Sequence, residues 1–470
     1  MNPGATENIE SIFEYLVQNQ RIINQRPISY RKQKLKKLHD EILRRSNDIQ
    51  EAIYKDFRKA PDEVKLTEIF PATSEIKLFI RKLNKWSKPK RAPMPITFFG
   101  SKSRIFIEPK GTVLIISPWN FPFLLAMDPL IAAVAAGNNF ICKPSEHTPN
   151  ASKIIKEIVG AVFEKSEGVV IEGDGAVSQK LTQLPFDHIF FTGGTGIGKK
   201  VMSAASQNLT SVTLELGGKS PVIIMDNADL RLASERVAWG KFMNAGQTCI
   251  APDYVLVSDD LKQQFITHLK ESISKYYGKS ELEKNGDFCR IVNQSHVRRV
   301  ASYLEEARSN NAVVEFGGDV DESKNFIGPT IISNVQLSSL LMKNEIFGPV
   351  LPIITYKDEV DIQKIISKNP NPLALYVFSK SVKDAKKIIL KIPSGGAAIN
   401  DVVVHYVNPN IPFGGRNSSG IGSARGYYGF KAFSHERSVM IQPSLSAMKF
   451  LFPPYKKVVS KLIDLLIKFF

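Results

Sequence analysis

Two residues stand out for the chemistry they could do together, Cys249 and Glu215. Cys249 ends the run Asn244-Ala245-Gly246-Gln247-Thr248-Cys249, and Glu215 lies 34 positions earlier, in Leu214-Glu215-Leu216-Gly217-Gly218. A thiol nucleophile with a separate carboxylate base, downstream of a glycine-rich turn, is equipment for taking an aldehyde to an acid through a thioester. The small, polar residues before Cys249 make a poor core strand, whereas a free cysteine with no role is ordinarily a small buried hydrophobe. Glu215 interrupts Val212, Leu214 and Leu216; a carboxylate there is costly unless used or paired. Burial would raise its pKa and suit it to accept a proton near neutrality. The other reading is a strand-edge ion pair. Cys142 sits within an apolar strand pattern and Cys289 lacks a small-residue loop, so both read as structural.

Other segments could serve such a pair. In Pro118-Trp119-Asn120-Phe121-Pro122 the amide of Asn120 could donate to a developing oxyanion, an interaction worth roughly 3 kcal/mol; equally, it could close a turn. In Ile141-Cys142-Lys143-Pro144-Ser145-Glu146 the Lys143 and Glu146 side chains could hold ribose hydroxyls, or form a surface ion pair. The run Phe191-Thr192-Gly193-Gly194-Thr195-Gly196-Ile197-Gly198-Lys199 passes from an apolar strand through glycines into a helix, a setting that favours phosphate at the helix N-terminus. Alone it is also consistent with a plain strand–turn–helix connection, because the acidic residue of a dinucleotide fingerprint is not obvious after it. Glu345-Ile346-Phe347-Gly348-Pro349 sets a carboxylate and an aromatic before a turn, and glycine-rich loops recur at 412–415 and 417–422.

These residues need a scaffold. Leu35, Leu38, Ile42, Ile49 and Ile53 recur at helical spacing, and Pro89, Pro93 and Pro95 end helical structure. The stretch 96–107 alternates and contains Gly100, which predicts a hairpin. From Thr112, strands over 112–117, 140–143, 169–173 and 188–193 alternate with helices over 123–136, 149–165, 176–184 and 196–207. This alternation implies a parallel sheet covered on both faces, with ligands at the strands' carboxyl ends. A second alternating region runs from about 212 to 400, with strands over 221–225, 254–257, 350–356 and 374–379.

The chain has 470 residues, 43% hydrophobic and 23% charged, which fits a folded protein of two or three domains. Three widely spaced cysteines make no disulfide framework, no Cys/His cluster suggests a metal, and no secretory signal is visible, which together point to the cytoplasm. The formal charge of +16 is not accompanied by any nucleic-acid module and reads as lysines on helical solvent faces. The C-terminal tail differs. Lys457, Lys461, Asp464 and Lys468 share one helical stripe, with Val459, Leu462, Ile463, Leu466 and Phe470 opposite. Such a helix could lie on an anionic membrane, dock on its own subunit or gate a substrate entrance.

Taken jointly, the motifs from about Ile105 to His435 resemble the aldehyde dehydrogenase superfamily, in the family's order. The segments 244–252, 345–352, Phe433-Ser434-His435-Glu436-Arg437 and Lys449-Phe450-Leu451-Phe452-Pro453-Pro454-Tyr455 are similar to its class 3 branch, which includes fatty aldehyde dehydrogenases. The resemblance implies an α/β fold: a Rossmann-like cofactor domain (1–86 and 108–213), a catalytic domain (214–400), a bridging and oligomerisation segment (87–107 and 401–440) and an amphipathic tail (441–470). It implies Cys249 as nucleophile, Asn120 and the Cys249 N–H as oxyanion donors, and Glu215 as the base that activates water. It implies Lys143 and Glu146 on the adenine-side ribose, Glu345 on the nicotinamide ribose with Phe347 beside it, and Trp119, Gly193, Gly194, Thr195 and Gly198 along the cofactor. Gly194 and Gly196 stand where relatives often carry larger residues, which implies a looser turn, and Ser419 replaces a glycine of the usual late loop. The implied cofactor is NAD, with NADP tolerated, since Glu146 should repel a 2′-phosphate. The implied substrate is a medium- or long-chain aliphatic or aromatic aldehyde, and the implied assembly a homodimer. Two rivals are kept: an acylating enzyme that passes the thioester to coenzyme A, which would not need Glu215, and an idle protein on the same fold.

Overall fold

The helical spacing of the first hundred residues produces the helices Ile28–Arg44, Ser46–Phe57 and Phe70–Trp86. Leu35, Leu38, Ile42, Ile49 and Ile53 are all buried. The computed structural model describes residues 7–95, 98, 100–278, 281–444, 449 and 452–469. Among them the strands form four sheets.

The first large sheet has six strands in the order Gly420–Ile421, Ser211–Leu216, His188–Gly193, Thr112–Ile116, Asn139–Lys143 and Gly168–Val170. Every pairing is parallel except the first. Thr112–Ile116 is buried at every residue, as expected of a strand covered on both sides. Leu114, Ile116, Ile189, Phe191, Leu214 and Leu216 pack on one face with Phe13 and Leu16 of the helix Glu7–Asn24. Val113, Ile115, Phe140 and Phe190 join the main core on the other. The second sheet has seven strands in the order Val313–Phe316, Thr330–Ser333, Val350–Tyr356, Tyr254–Ser258, Pro221–Ile224, Ala374–Phe378 and Gly396–Ile399, parallel apart from the first pair. A three-stranded antiparallel sheet joins Lys90–Ala92, Lys102–Pro109 and Ser434–Ile441, and Val320–Asp321 pairs with Phe326–Ile327.

The α/β character and the alternation agree with the sequence, but several boundaries move. The expected limits at 107/108, 213/214 and 440/441 each fall inside a strand: Lys102–Pro109, Ser211–Leu216 and Ser434–Ile441. Ser211–Leu216 pairs along its whole length with His188–Gly193, so Glu215 is carried by the first sheet and not the second. Composition breaks at glycine and proline mark turns, whereas a strand ends where its partner does. The hairpin expected over 96–107 has its first arm upstream, at Lys90–Ala92, with Pro93 and Pro95 in the connection; Ile96, Thr97 and Phe99 lie outside the described residues. The tail forms the helix Lys457–Phe469 with no residue fully buried, and Phe470 lies outside the description. Among the described residues no helix is long and apolar enough to cross a membrane.

Candidate active site

The strand ends of the first sheet open onto a cleft of about 1130 Å³. Trp119 and Asn120 follow Thr112–Ile116, Lys143 ends Asn139–Lys143, Gly193 ends His188–Gly193, and Glu215 lies one residue from the end of Ser211–Leu216. The second sheet contributes from its opposite end. Cys249 precedes the strand Tyr254–Ser258, and Glu345 precedes Val350–Tyr356. The first sheet thus faces the cleft with the carboxyl ends of its strands, and the second with the loops that enter its strands.

The loop that presents Cys249 is unusual in its backbone. The helix Leu230–Phe242 stops, and residues 244–246 all take positive φ: Asn244 54°, Ala245 49° and Gly246 73°. A left-handed residue other than glycine costs roughly 1–2 kcal/mol. Gly246 has a second reason to lack a side chain, since a Cβ there would lie 2.3 Å from the carbonyl oxygen of Gly348. Side-chain amides hold the turn. Asn244 Nδ2 donates to Asn120 O (2.8 Å) and Gln247 O (3.1 Å), and Gln247 Nε2 donates to Asn244 O and Arg290 O (both 3.0 Å). Val292 N–H donates to Gln247 Oε1 (3.0 Å), and Asn120 Nδ2 donates to Gln247 O (3.0 Å). The Asn120 amide is thus parked against the cysteine loop, on the cleft wall beside the thiol.

Three ionisable groups converge there. Cys249 is partly exposed to the cleft yet deep within the molecule. Its thiol is pushed up to about 12 by burial and by the charges of Glu345 and Glu215, against the backbone N–H groups of Cys249 and Ile250. Glu215 is 5% exposed, neither of its oxygens has a hydrogen-bond partner, and burial holds its pKa well above the usual carboxylate range. Glu345 is raised to about 8, first by burial and then by Asp253, although the Gly218 N–H, Lys219 and Arg299 oppose the shift. Its carboxylate lies on Gly217, where a Cβ would come within 2.0 Å of Oε2. Two buried carboxyl groups with raised pKa values thus share a cleft wall with a high-pKa thiol, an arrangement able to move protons between them. Cys142 and Cys289, in contrast, are buried and raised by desolvation away from the cleft wall.

Farther along the cleft, Lys143 Nζ donates to Glu146 Oε2 at 2.9 Å. Burial acts against the ionised form of Glu146, but the Lys143 ammonium and the backbone hold its pKa below the ordinary value. Trp119 meets the Phe347 ring edge-on at 5.2 Å. Gly193 and Gly194 line the wall, and no side chain caps the helix Thr195–Ser206 that follows. Thr195 and Gly198 are not among the residues of the cleft wall. The Thr195 hydroxyl donates to Ser418 O (3.1 Å), and a Cβ on Gly198 would lie 2.6 Å from Leu216 Cδ2, so the helix packs closely on the strand there.

Some wall residues carried no signal in the sequence. Arg299, from the helix Gln294–Ser309, donates to Ile346 O (2.9 Å) and so steadies the turn that bears Glu345 and Phe347. His296 packs on Trp119 with centroids 4.9 Å apart. Burial, then Arg299 and His147, lower its pKa to about 4, so it is neutral at physiological pH. Both lie on an ordinary amphipathic helix, and only the fold brings them to the cleft. Among the described residues, no group of three or more His, Cys, Asp or Glu is placed to hold a metal ion.

The chain is similar to known proteins over most of its length. The chain is 44% identical over 429 residues to the 4,4'-diaponeurosporen-aldehyde dehydrogenase of Staphylococcus aureus, covering 91% of this chain and 93% of that protein. It is 39% identical over 432 residues to aldehyde dehydrogenase family 3 member A2 of Pongo abelii, covering 91% and 88%. The substrate-bound state of Staphylococcus aureus AldH superposes with a TM-score of 0.94 at 42% identity, over 98% of this chain and 99% of that one. The family model of the aldehyde dehydrogenases spans residues 2–439, and the chain belongs to that family of oxidoreductases, which oxidise aldehydes.

Proposed function

We propose that this protein converts medium- or long-chain aliphatic or aromatic aldehydes to carboxylic acids with NAD or NADP, through a thioester on Cys249. The observation that carries the reading is Glu215, a buried carboxylate with both oxygens unpartnered on the wall it shares with the only cysteine in the cleft. A side chain so costly to bury has a use that the protein's own contacts do not supply.

The cleft suits a nicotinamide dinucleotide. Lys143 and Glu146 would hold the adenine-side ribose hydroxyls, the glycines at 193 and 194 leave room for close backbone approach, and Glu345 would take the nicotinamide ribose with Trp119 and Phe347 alongside. When bound, the cofactor supplies the hydride acceptor. Cys249 adds to the aldehyde carbon, and its proton passes to a neighbouring carboxylate. The oxygen of the thiohemiacetal becomes anionic and faces the Asn120 amide and the Cys249 N–H. After oxidation, Glu215 takes a proton from water, which attacks the thioester and frees the acid and the thiol. The ionised Glu146 disfavours a 2′-phosphate, which favours NAD. The substrate class rests on similarity to the class 3 branch and on the amphipathic tail helix. The deciding experiment is a panel of aldehydes of rising chain length against NAD and NADP. Acid should form without coenzyme A; strict dependence on coenzyme A would favour the acylating rival, and no reduction with any aldehyde the idle one.

The reading extends to partners. The exposed edge of Ser434–Ile441 offers a strand for pairing in a homodimer. On the tail helix, Val459, Ile463 and Leu466 are only partly covered and Leu462 is exposed, with Lys457, Lys461 and Lys468 beside them. A 13-residue helix is marginal on its own in water, and an anionic membrane surface would take up both faces. The full chain should therefore float with anionic vesicles and be released by high salt, whereas a chain lacking residues 449–470 should stay behind. Equal behaviour of the two would leave docking on the protein or gating of the entrance as the tail's role.

A further inference from the structure

We propose that residues 59–68, outside every motif of the active site, form a clamp that positions the oxyanion donors, with Glu63 as the positioning residue. The inference rests on the reading of Cys249 and Asn120 given above. Three observations on one short segment carry it.

First, Glu63 Oε1 accepts the backbone N–H of Asn244 at 2.9 Å. That N–H opens the left-handed turn 244–246, two residues past the end of the helix Leu230–Phe242, where backbone donors and acceptors lose their regular partners. Second, Glu68 holds the other loop. Its Oε2 accepts from Phe123 N (2.9 Å) and Leu124 N (3.3 Å) at the start of the helix that follows Trp119 and Asn120. Lys59, 0% exposed like Glu68, donates to Glu68 Oε1 at 2.9 Å and lies 4.1 Å from the centre of the Phe121 ring. One segment therefore touches both loops whose meeting sets the Asn120 amide against Gln247 and beside Cys249. Third, the segment runs into a π-helical turn at Lys65–Ile69, closed by Phe70 N–H on Lys65 O. On a regular α-helix, residues five apart point roughly 140° from each other. The wider turn lets Glu63 and Glu68 reach two neighbouring loops. Such turns recur at functional sites, where a local rule of helix geometry is given up for side-chain placement.

The consequence is a division of labour. The amides of Asn120, Asn244 and Gln247 hold the loops to each other, and Glu63 and Glu68 hold both to the helical layer. Without the Glu63 acceptor, the Asn244 N–H loses its partner and the turn can relax from its left-handed form. Asn244 Nδ2 would then shift from Asn120 O, and the two oxyanion donors would lose alignment.

The test compares two reactions of the same thiol. Alkylation of Cys249 by iodoacetamide develops no oxyanion, whereas aldehyde oxidation does. In Glu63→Leu, single-turnover oxidation should fall roughly 10- to 100-fold, the scale of a misplaced donor. Alkylation and NAD binding, followed by tryptophan fluorescence, should stay within about threefold of wild type on this argument. Glu63→Gln, whose carbonyl can still accept the N–H, should restore oxidation. If both reactions fall together, Glu63 serves the fold alone and the proposal is overturned; if neither falls, it is overturned as well. Should Glu63→Leu not fold, Glu63→Asp, which withdraws the acceptor by one methylene, must show the same split. A wild-type chain that forms no acid would sink the reading of the site and the clamp with it, whereas an active wild type matched by Glu63→Leu sinks the clamp alone.

Discussion

Cys249→Ala is expected to abolish aldehyde oxidation, by at least about 10⁴-fold, while cofactor affinity and thermal stability stay near wild type. The size of the effect follows from the chemistry assigned to the sulfur. Burial and the two nearby carboxylates push the resting thiol up to about 12, which disfavours a preformed thiolate. In the proposed mechanism the proton leaves as the sulfur attacks, to a base already in place. Glu215 and Glu345 meet that need because the same burial that suppresses the thiolate raises their own proton affinities. Alanine removes the one atom the sequence of events turns on and leaves Asn120, Lys143 and Glu146 where they are. Two measurements check it: steady-state oxidation of a good aldehyde, and stoichiometric thiol labelling with cofactor bound. Residual turnover within tenfold of wild type would show that another group carries the acyl chain. Cys142 and Cys289 are poor candidates, since both are buried away from the cleft.

Much of this site can be read from the chain because its parts are local. A cysteine in a small-residue loop, a carboxylate breaking an apolar strand and a Lys/Glu pair at a strand end each announce themselves within a few residues. Strands buried on both faces were visible for the same reason: Thr112–Ile116 and Val350–Tyr356 are continuous apolar runs. What escaped depends on non-local partners. Ser211–Leu216 belongs to the first sheet because His188–Gly193 lies beside it, a fact no window of sequence contains. Thr330–Ser333 and Gly396–Ile399 are short and enter their sheet only by pairing with longer neighbours. Arg299 and His296 sit on a helix whose pattern is that of any surface helix, and Glu63 lies in a segment that reads as an ordinary helix start. Gly198 shows how one signal can have two physical causes: a glycine in the place of a phosphate turn also packs closely on Leu216, a contact that no spacing in the sequence reveals.

Glu215→Gln should separate the two halves of the reaction. The first half does not need this residue as long as Glu345 can accept the thiol proton, so a single turnover of reduced cofactor should still appear. The second half needs a base for water, and an amide cannot serve. Deacylation should slow by roughly 10²- to 10⁴-fold, so that acyl-enzyme accumulates and a burst close to one equivalent per subunit precedes a slow steady state. Intact-protein mass spectrometry during turnover would detect the acyl group on Cys249. The pH dependence carries an independent sign. Glu215 acts only when ionised, and its pKa is raised, so wild-type deacylation should climb as pH rises through that elevated value, while the variant loses this limb. Stability should respond in the reverse sense. A buried carboxyl with a raised folded pKa binds its proton more tightly folded than unfolded, so its contribution to stability is full below the unfolded value and is lost as pH climbs toward the folded one. Glutamine escapes that loss, and Glu215→Gln should be at least as stable as wild type at pH 8, with the difference vanishing near pH 4. A variant that turns over normally, or one that melts lower at pH 8, would show that the carboxylate is held for structure and would remove Glu215 from the water-activating role.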